Sequence, residues 1–287
     1  MNRKTRFNER EQSSIINLRK FHNWIKRELI NQTSNTIKNE SGNDIMLLDL
    51  AVGKAGDMQK WYDNHIMHVV GFDIDANSIN EARNRYNQFL NDLKRKGARD
   101  LPKYEFYVMD LSNSSNLSHI SNILKNKKFN IVSCQFAIHY FFKNKESLMT
   151  LITIVNSYIS NDGYFIGTTV NGDLVVEKLY NNKIIGNNIY SIEKKYEEPI
   201  LSPYNNTYLV ALGEAGDTEH YFANKKSEEY IVNIEELKNV CKKMDLLYVG
   251  VIDFETWYNS FGKNIMSEAE IEYSFLNFSF VFKKIIV

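Results

Sequence analysis

The most constraining feature of the sequence is an alternation of short apolar segments with segments of helical periodicity. The apolar segment at residues 45–50 is too short for a helix and ends in small residues, as buried strands of parallel sheets do. Four further strands are predicted at residues 68–73, 104–109, 129–134 and 164–168, with helices at about 56–64, 76–97, 115–126 and 144–160. This alternation predicts an α/β fold with a mainly parallel sheet and right-handed crossovers.

Weaker patterns flank this region. Residues 1–10 are polar and are expected to form an arm, and apolar side chains then recur at helical spacing from Ile15 to Ile30. They predict a helix with an aromatic-rich face, followed by a polar stretch at residues 31–43.

On the C-terminal side, alternating segments at residues 190–196 and 208–212 lie among turn residues and predict a small antiparallel insertion or lid. A helix at residues 234–244 and strands at 246–254 and 275–283 return the chain to the sheet. We therefore expect a single domain over residues 1–287. Its parts are an N-terminal arm and helix at 1–43, a core at 44–171, the insertion at 172–230 and the C-terminal part of the sheet at 231–287.

Charge and composition exclude several classes of protein. The 35 Lys and Arg residues balance 35 Asp and Glu residues, which argues against a long groove that tracks nucleic acid but permits a local basic pocket. No stretch of eighteen apolar residues is present, so no membrane span is expected. The N-terminus lacks a secretory signal, and the two cysteines form no cluster with histidine. An intracellular protein without zinc is expected.

The first candidate site is the small-residue loop that follows the strand at residues 45–50. Such loops let backbone amides approach a ligand at the carboxyl edge of a parallel sheet, although a tight turn without a ligand would look similar. The next strand ends at Asp73, 20 positions after Gly53, where a carboxylate can accept both hydroxyls of a ribose. Asp110 closes the third strand in the same way. Together they suggest an adenosine-containing ligand.

The loop favours S-adenosylmethionine over a dinucleotide. A dinucleotide pyrophosphate requires a GxGxxG turn, whereas residues 51–56 read AVGKAG. Asp57, which follows directly, would repel a pyrophosphate. A positive sulfonium, in contrast, is compatible with both Asp49 and Asp57.

Longer motifs resemble those of the mRNA cap guanine-N7 methyltransferases. They occur in that family's order, as FHNWIK, LLDLAVGKAGDMQKW, GFDIDANSINEARNRY, FNIVSCQFAIHYFF and DGYFIGTTVNGD. The EARNRYN and QFAIHY strings most resemble the methyltransferase part of capping enzymes from large cytoplasmic DNA viruses, which implies the host cytoplasm or the virion. The resemblance implies a Rossmann-like class I S-adenosylmethionine-dependent methyltransferase. Its fold would be a mostly parallel seven-stranded sheet with helices on both faces and a small antiparallel insertion.

The resemblance also implies a donor site. Lys26 would bind the methionine carboxylate, the backbone of Ala51 and Gly53 would approach the donor, and Asp73 would hold the ribose. Asp110 would contact adenine, and Gln135 and Tyr140 would surround the transferred methyl group. No metal is expected, since His65 and His68 lack a third ligand.

On the cap side, the resemblance implies aromatic, acidic and basic contacts to the guanine and triphosphate. Phe136 and Tyr140 would offer aromatic surfaces, His139 would lie near the guanine, and Glu229 would accept hydrogen bonds from its N1–H and exocyclic amine. The remaining contacts would come from His22, Asn23, Lys54, Lys60 and Arg85, the last three facing the triphosphate.

Each assignment has a structural alternative. Phe136 and Tyr140 could be core aromatics, Lys60 and Arg85 could lie on solvated helix faces, and His139 could be a satisfied buried histidine. The adjacent Glu228 competes with Glu229 for the acidic role.

The sequence also departs from the family pattern. Ala51 replaces a glycine, and His22 stands where asparagine is usual. Asn277 and Phe278 lie where the family often has a tyrosine against the cap, leaving that role open among Asn277, Phe278 and Tyr273.

The predicted reaction needs no acid or base. Guanine N7 carries a lone pair and no proton, so residues such as Phe136, His139, Tyr140 and Glu229 would act by positioning. The chain is therefore expected to methylate the GpppN end of mRNA. Two alternatives are a methyltransferase for a small molecule or another RNA position, and a silent or stimulatory subunit of a capping complex. The sequence leaves open an association with triphosphatase and guanylyltransferase modules or with a stimulatory subunit.

Overall fold

A computed structural model of the chain describes residues 13–42, 44–213 and 226–285. The predicted arm at residues 1–10 and part of the predicted insertion lie outside the described residues. The helices are α1 Ile16–Ser41, α2 Met58–Asp63, α3 Ala76–Arg95, α4 Leu117–Leu124, α5 Lys145–Tyr158, α6 Gly172–Leu179, α7 Ile234–Lys242, α8 Phe254–Phe261 and α9 Glu268–Ser274. The strands are β1 Met46–Leu50, β2 His68–Asp73, β3 Lys103–Val108, β4 Phe129–Gln135, β5 Ile159–Val170, β6 Ile184–Gly186, β7 Tyr190–Lys194, β8 Thr207–Leu212, β9 Ser227–Tyr230, β10 Leu246–Asp253 and β11 Asn277–Lys284. Short 3₁₀ helices span Ser114–Asn116 and Ile138–Lys143.

Seven strands form the main sheet, in the order β10-β11-β5-β4-β1-β2-β3. Strands β1 to β5 pair in parallel, whereas β11 runs antiparallel to both β5 and β10. The predicted fold class, a mostly parallel seven-stranded sheet with helices and an antiparallel insertion, is confirmed. Because the parallel strands all end at the same edge, the loops after β1, β2, β3 and β4 lie side by side.

The alternation of side chains along the strands builds a core on each face of the sheet. Leu48 and its register partner Val132 face a buried cluster to which α4, α5 and α7 contribute. Leu47 and its partner Ile131 face the opposite cluster, which receives side chains of α1, α2 and α3. Both faces are therefore covered, as a parallel sheet requires.

The insertion forms a separate four-stranded antiparallel sheet in the order β6-β7-β8-β9. Its inner side chains, including Ile192 and Val210, belong to a third buried cluster with Phe21 of α1 and Trp257 of α8. The small sheet thus shares a buried cluster with the N-terminal half of α1, and β9 contacts the 3₁₀ helix that follows β4 at the carboxyl edge of the main sheet.

The predicted end of the first helix at Ile30 is wrong. Helix α1 continues to Ser41 because its inner face stays buried beyond the polar-looking boundary, at Thr33 and Ile37 among others. The Thr33 hydroxyl donates to a main-chain carbonyl one turn earlier at 2.7 Å, which satisfies it within the helix. The helix ends at Gly42, whose φ of 62° is the left-handed conformation typical of helix C-termini.

Three short helices, α6, α8 and α9, were not predicted. Each has only seven or eight residues, too few to display a convincing helical period in the sequence. Their N-terminal ends are nonetheless marked: Asn171 caps α6, and Ser267 and Glu270 form a capping box on α9.

Candidate active site

The loop after β1 adopts an unusual backbone. Ala51, Gly53 and Ala55 have φ values of 68°, 53° and 51°, a left-handed region that L side chains rarely adopt. The amide of Gly53 donates a 2.7 Å hydrogen bond to Oδ2 of Asp73 at the end of β2. At Ala51 a methyl group therefore occupies a conformation in which glycine would be unstrained, at a cost of about 1 kcal/mol.

The predicted strand-end acids lie at the same edge of the sheet. Asp73 Oδ1 accepts from the amide of Asp75, and the carbonyl of Asp73 accepts from the amide of Met109 at the end of the neighbouring strand. Asp110 Oδ1 accepts from the amide and hydroxyl of Ser112. These hydrogen bonds fix both carboxylates while leaving lone pairs for further donors, since each oxygen has two.

A buried charge cluster adjoins the loop. Asp57 contacts Nζ of Lys26 at 2.8 Å and Nζ of Lys60 at 2.7 Å, and Lys60 also donates to Oδ1 of Asn23 at 3.1 Å. Burial alone would raise the pKa of Asp57, but the two ammonium groups outweigh it and lower the pKa to about 2. Two cations facing one anion leave an excess positive charge, which suits an incoming carboxylate.

Two residues that the resemblance assigns to ligand binding, Lys26 and Lys60, therefore share the carboxylate of Asp57. Lys60 is buried, so the alternative of a solvated face is wrong for this residue, and its predicted role toward the triphosphate stays a prediction.

Asp49, deeper in β1, is also buried. Burial and then the charge of Asp57 raise the pKa of Asp49 well above its usual range, with Lys26 opposing. The neutral form of Asp49 is thereby favoured.

A second polar group lies where the 3₁₀ helix Ile138–Lys143 meets β9. The Tyr208 hydroxyl donates to Oε2 of Glu229 at 2.7 Å, and Oε1 of Glu229 lies 3.7 Å from Nε2 of His139. Glu229 is buried whereas Glu228 is exposed, since successive side chains of a strand point to opposite faces. Only Glu229 can therefore serve this pocket.

His139 carries unused hydrogen-bonding capacity. Burial lowers its pKa, with Glu229 partly opposing, so the ring is neutral at neutral pH. Among the described residues, neither ring nitrogen forms a hydrogen bond, because 3.7 Å to Glu229 is too long. Beside it, the ring of Tyr140 lies 4.1 Å away between centroids and is 44% exposed. The pocket thus offers a carboxylate, an unsatisfied imidazole and an accessible aromatic ring.

Phe136 lies between the two polar groups. Its φ of 53° is rare for a bulky residue and costs about 1–3 kcal/mol, a strain that clusters at functional sites. Its amide donates to the carbonyl of Thr168 at 2.8 Å, and its half-buried ring stacks on His22 with centroids 5.2 Å apart. Neighbouring Gln135 is held by Ser133 and Thr168 at 3.2 and 3.0 Å.

Two cationic residues, Lys54 and Arg85, lie beside the loop. Nη1 of Arg85 on α3 donates to the carbonyl of Lys54 at 3.3 Å, and its Nε contacts Glu81 at 3.2 Å. Lys54 is exposed and Arg85 is half-buried. Their roles toward a triphosphate stay predictions.

The predicted site residues lie at or just after the ends of β1 to β4, on α1, α2 and α3, on the 3₁₀ helix Ile138–Lys143 and on β9. Their assignment to a donor or to a cap stays a prediction. Sequence reasoning missed Tyr208 and Ser274, which hold Glu229 and His22. The alternating pattern of β8 predicts a strand that contains Tyr208. The contact between Tyr208 and Glu229 follows only from the register in which β8 pairs with β9.

The three candidates for the missing tyrosine are all buried. Phe278 belongs to the sheet core, Tyr273 packs on Tyr190, and Asn277 donates to the carbonyls of Tyr273 and Ser274 at 3.1 Å. The expectation that one of these three residues contacts the cap stays a prediction.

No cluster of three or more His, Cys, Asp or Glu side chains suited to a metal ion occurs in the described part of the chain. Within residues 13–42, 44–213 and 226–285, no helix is both long and apolar enough to cross a membrane.

The fold is that of S-adenosylmethionine-dependent methyltransferases. A structure of such a methyltransferase from Clostridium acetobutylicum has a TM-score of 0.55 at 15% identity, covering 90% of this chain and 92% of that one. A second, from Methanosarcina mazei, has a TM-score of 0.54 at 15% identity, covering 88% of this chain and 98% of its own.

The sequence defines the family more narrowly. Residues 1–277 match the mRNA (guanine-N(7))-methyltransferase domain, and the chain belongs to this family. It is 32% identical over 253 residues to mRNA cap guanine-N(7) methyltransferase 1 of Arabidopsis thaliana, covering 85% of this chain and 62% of that protein. It is 30% identical over 256 residues to the mRNA cap guanine-N(7) methyltransferase of Schizosaccharomyces pombe, covering 86% of this chain and 64% of the relative. The chain thus spans less than two thirds of the length of these relatives.

Proposed function

We propose that this protein transfers a methyl group from S-adenosylmethionine to N7 of the guanine in a GpppN cap. The observation that carries the proposal is the buried Glu229 carboxylate, oriented by Tyr208 and facing the unsatisfied ring of His139. A buried carboxylate is costly unless it is paired, and adjacent N–H donors on one edge of a base match it well. Guanine offers such a pair at N1 and the exocyclic amine.

The donor-side residues have the chemistry that S-adenosylmethionine requires. Lys26, one of the two cations that face Asp57, suits the carboxylate of the methionine part. Asp73 and Asp110, at the ends of neighbouring strands, have acceptor lone pairs for the ribose hydroxyls and the adenine amine. The bound donor would supply an electrophilic methyl group on a sulfonium.

The proposed role of the protein in the methyl transfer is to position the two reactants. Guanine N7 needs no deprotonation, so holding N7 in line with the methyl group is sufficient, and such orientation can lower a barrier by several kcal/mol. Phe136 and Tyr140 provide ring surfaces, and stacking of an aromatic residue on a base contributes about 1–3 kcal/mol. Neutral His139 can hydrogen-bond the purine without adding a charge.

The charge balance of the chain is compatible with this substrate. A cap presents three phosphates to cations such as Lys54 and Arg85, and hydroxyls and guanine N–H groups to carboxylates. Both signs are therefore needed within one cleft. We expect affinity to depend on the cap nucleotide more than on RNA length.

The test uses labelled S-adenosylmethionine with three acceptors of equal length: GpppN-RNA, ApppN-RNA and uncapped pppN-RNA. Label in GpppN-RNA alone supports the proposal. Donor binding without transfer to any acceptor would favour a silent or stimulatory subunit. Transfer that does not require the cap guanine would favour a methyltransferase for another RNA position or a small molecule.

Partners and location remain proposals of the same kind. The family supports capped mRNA as the substrate class. Association with triphosphatase and guanylyltransferase modules or a stimulatory subunit, an intracellular location and a closer relationship to viral enzymes all stay predictions. Copurification from the native source would test the first of these.

A further inference from the structure

The resemblance implies a cap contact for His22, but the surroundings of this residue differ from those of a ligand-facing side chain. It lies on α1, one turn before Lys26, and is only 9% exposed. Its ring is nearly parallel to that of Phe136, with an interplanar angle of 12° and centroids 5.2 Å apart. The face of His22 is therefore directed at a protein ring and not at an open cleft.

Two further contacts hold the imidazole in this orientation, and a third joins the same two helices. Nε2 of His22 and Oγ of Ser274 lie 3.0 Å apart, and the ring of Phe254 meets His22 edge-on, with centroids 4.9 Å apart. One turn earlier on both helices, the amide of Leu18 donates to Oε1 of Glu270 at 2.9 Å. These two hydrogen bonds clamp α1 to α9, so His22 has little freedom to turn away from Phe136.

Phe136 requires such support. Its left-handed backbone follows the last residue of β4 and redirects the chain into the 3₁₀ helix that carries His139 and Tyr140. Burial, followed by the nearby Lys26, lowers the pKa of His22 to about 3. The ring is therefore uncharged at neutral pH and stacks as a flat aromatic surface instead of as a cation.

We propose that His22 is a positioning residue that backs the ring of Phe136 and does not itself bind the cap. This inference rests on the proposed function, in which the half-buried ring of Phe136 receives the guanine on the side away from His22. The specific claim is that ring shape at position 22, and not its hydrogen-bonding edge, determines cap affinity.

Two substitutions separate these properties. His22→Phe keeps a flat ring but loses the hydrogen bond to Ser274, and His22→Asn keeps a hydrogen-bonding side chain without a ring. The dissociation constants for GpppG and for S-adenosylhomocysteine are measured by calorimetry, with melting temperature as the test of folding. We expect His22→Phe to bind GpppG within about 3-fold of wild type and His22→Asn to bind it roughly 5- to 10-fold more weakly, as loss of an aromatic pair implies. Both should bind the donor product normally.

The reverse ranking, with His22→Asn retaining affinity and His22→Phe losing it, would overturn the inference. So would equal losses for both ligands, which would indicate a merely structural role. Wild-type methylation of GpppG is measured in the same preparation. Its absence would reject the proposed function, whereas normal methylation with an unaffected His22→Asn variant would reject only the role of His22.

A measurement on the unaltered protein covers the case in which a variant does not fold. In the complex with GpppG, we expect nuclear Overhauser contacts from guanine H8 to the Phe136 ring and from Phe136 to His22, with none from guanine to His22. A direct contact from guanine to the His22 ring would overturn the proposal.

Discussion

The hydroxyl of Tyr208 donates a 2.7 Å hydrogen bond to the carboxylate of Glu229, directly across the pairing of β8 with β9. Burial, then the charge of Glu229, raises the pKa of Tyr208 well above its usual range, so the hydroxyl stays a donor. One carboxylate oxygen is thereby fixed, and the other is directed toward His139. The acidic end of the candidate cap pocket is built by the small antiparallel sheet and not by the methyltransferase core.

The first prediction concerns this carboxylate. Glu229→Gln replaces one acceptor oxygen with a donor that faces the guanine N–H groups, so a charge-assisted hydrogen bond is lost. Because such bonds contribute about 1.5–3 kcal/mol, we expect kcat/KM for GpppN-RNA to fall roughly 10- to 100-fold. Steady-state methylation kinetics measure the loss.

Its matched control is Glu228→Gln, one residue earlier in β9 and exposed on the other face. This variant should retain wild-type kinetics. Equal losses in the two variants, or full activity in Glu229→Gln, would contradict the assignment of Glu229 to the guanine edge.

The second prediction separates donor binding from stability at the end of β2. Asp73→Asn weakens the acceptor that holds the amide of Gly53 and the predicted ribose contact, so the donor should bind at least 10-fold more weakly. Asp75→Ala removes the N-cap of α3 and should lower the free energy of unfolding by about 1 kcal/mol while leaving donor affinity unchanged. Calorimetry measures donor affinity and urea unfolding measures stability in both variants. Normal donor binding in Asp73→Asn, or weakened donor binding in Asp75→Ala, would disprove this division of roles.

The third prediction uses the pH dependence of the buried charge cluster. The pKa of Asp57 is about 2 in the folded protein against an ordinary value of 3.8, so its ionised form contributes to stability above pH 4. That contribution is lost as the pH falls toward about 2. Asp57→Asn leaves Lys26 and Lys60 without a counter-charge and should cost about 3–5 kcal/mol at pH 7.

Urea unfolding at several pH values checks this prediction. The difference in unfolding free energy between wild type and Asp57→Asn should shrink as the pH is lowered from 4 to 2.5. Asp100→Asn, at an exposed position, should show little difference at any pH. A difference between wild type and Asp57→Asn that is independent of pH would show that ionised Asp57 does not stabilise the fold.

The fourth prediction tests the cations beside the loop. Lys54→Ala should raise the KM for GpppN-RNA about 3- to 10-fold and reduce the salt dependence of that KM, since one phosphate contact is lost. The control is Lys94→Ala, in the last turn of α3, which should change neither the KM nor its salt dependence. An unchanged salt dependence in Lys54→Ala would argue against a phosphate contact.

The core of the fold could be predicted because its signals are local. Strands such as β1 and β2 are short apolar runs that end in small or acidic residues, and the loops at their carboxyl ends follow from parallel pairing. The length of α1 could not be predicted from the sequence, because the burial of Thr33 and Ile37 depends on the sheet that covers them.

The site was predictable by residue type but not by partner. The motifs indicated Asp73, Glu229 and Lys60, yet nothing local reveals that Lys60 shares Asp57 with Lys26. The left-handed backbone of Phe136 is equally invisible in the sequence, since it is imposed by tertiary packing that overrides local preference.

The position of the transferred methyl group tests the central claim most directly. After reaction of the wild-type protein with S-adenosylmethionine and GpppA-capped RNA, nuclease digestion and mass spectrometry identify the modified nucleotide. The account predicts a single product with the methyl on guanine N7 and none on ribose or on internal bases. A methyl group at any other position, or no modified cap despite tight donor binding, would contradict it.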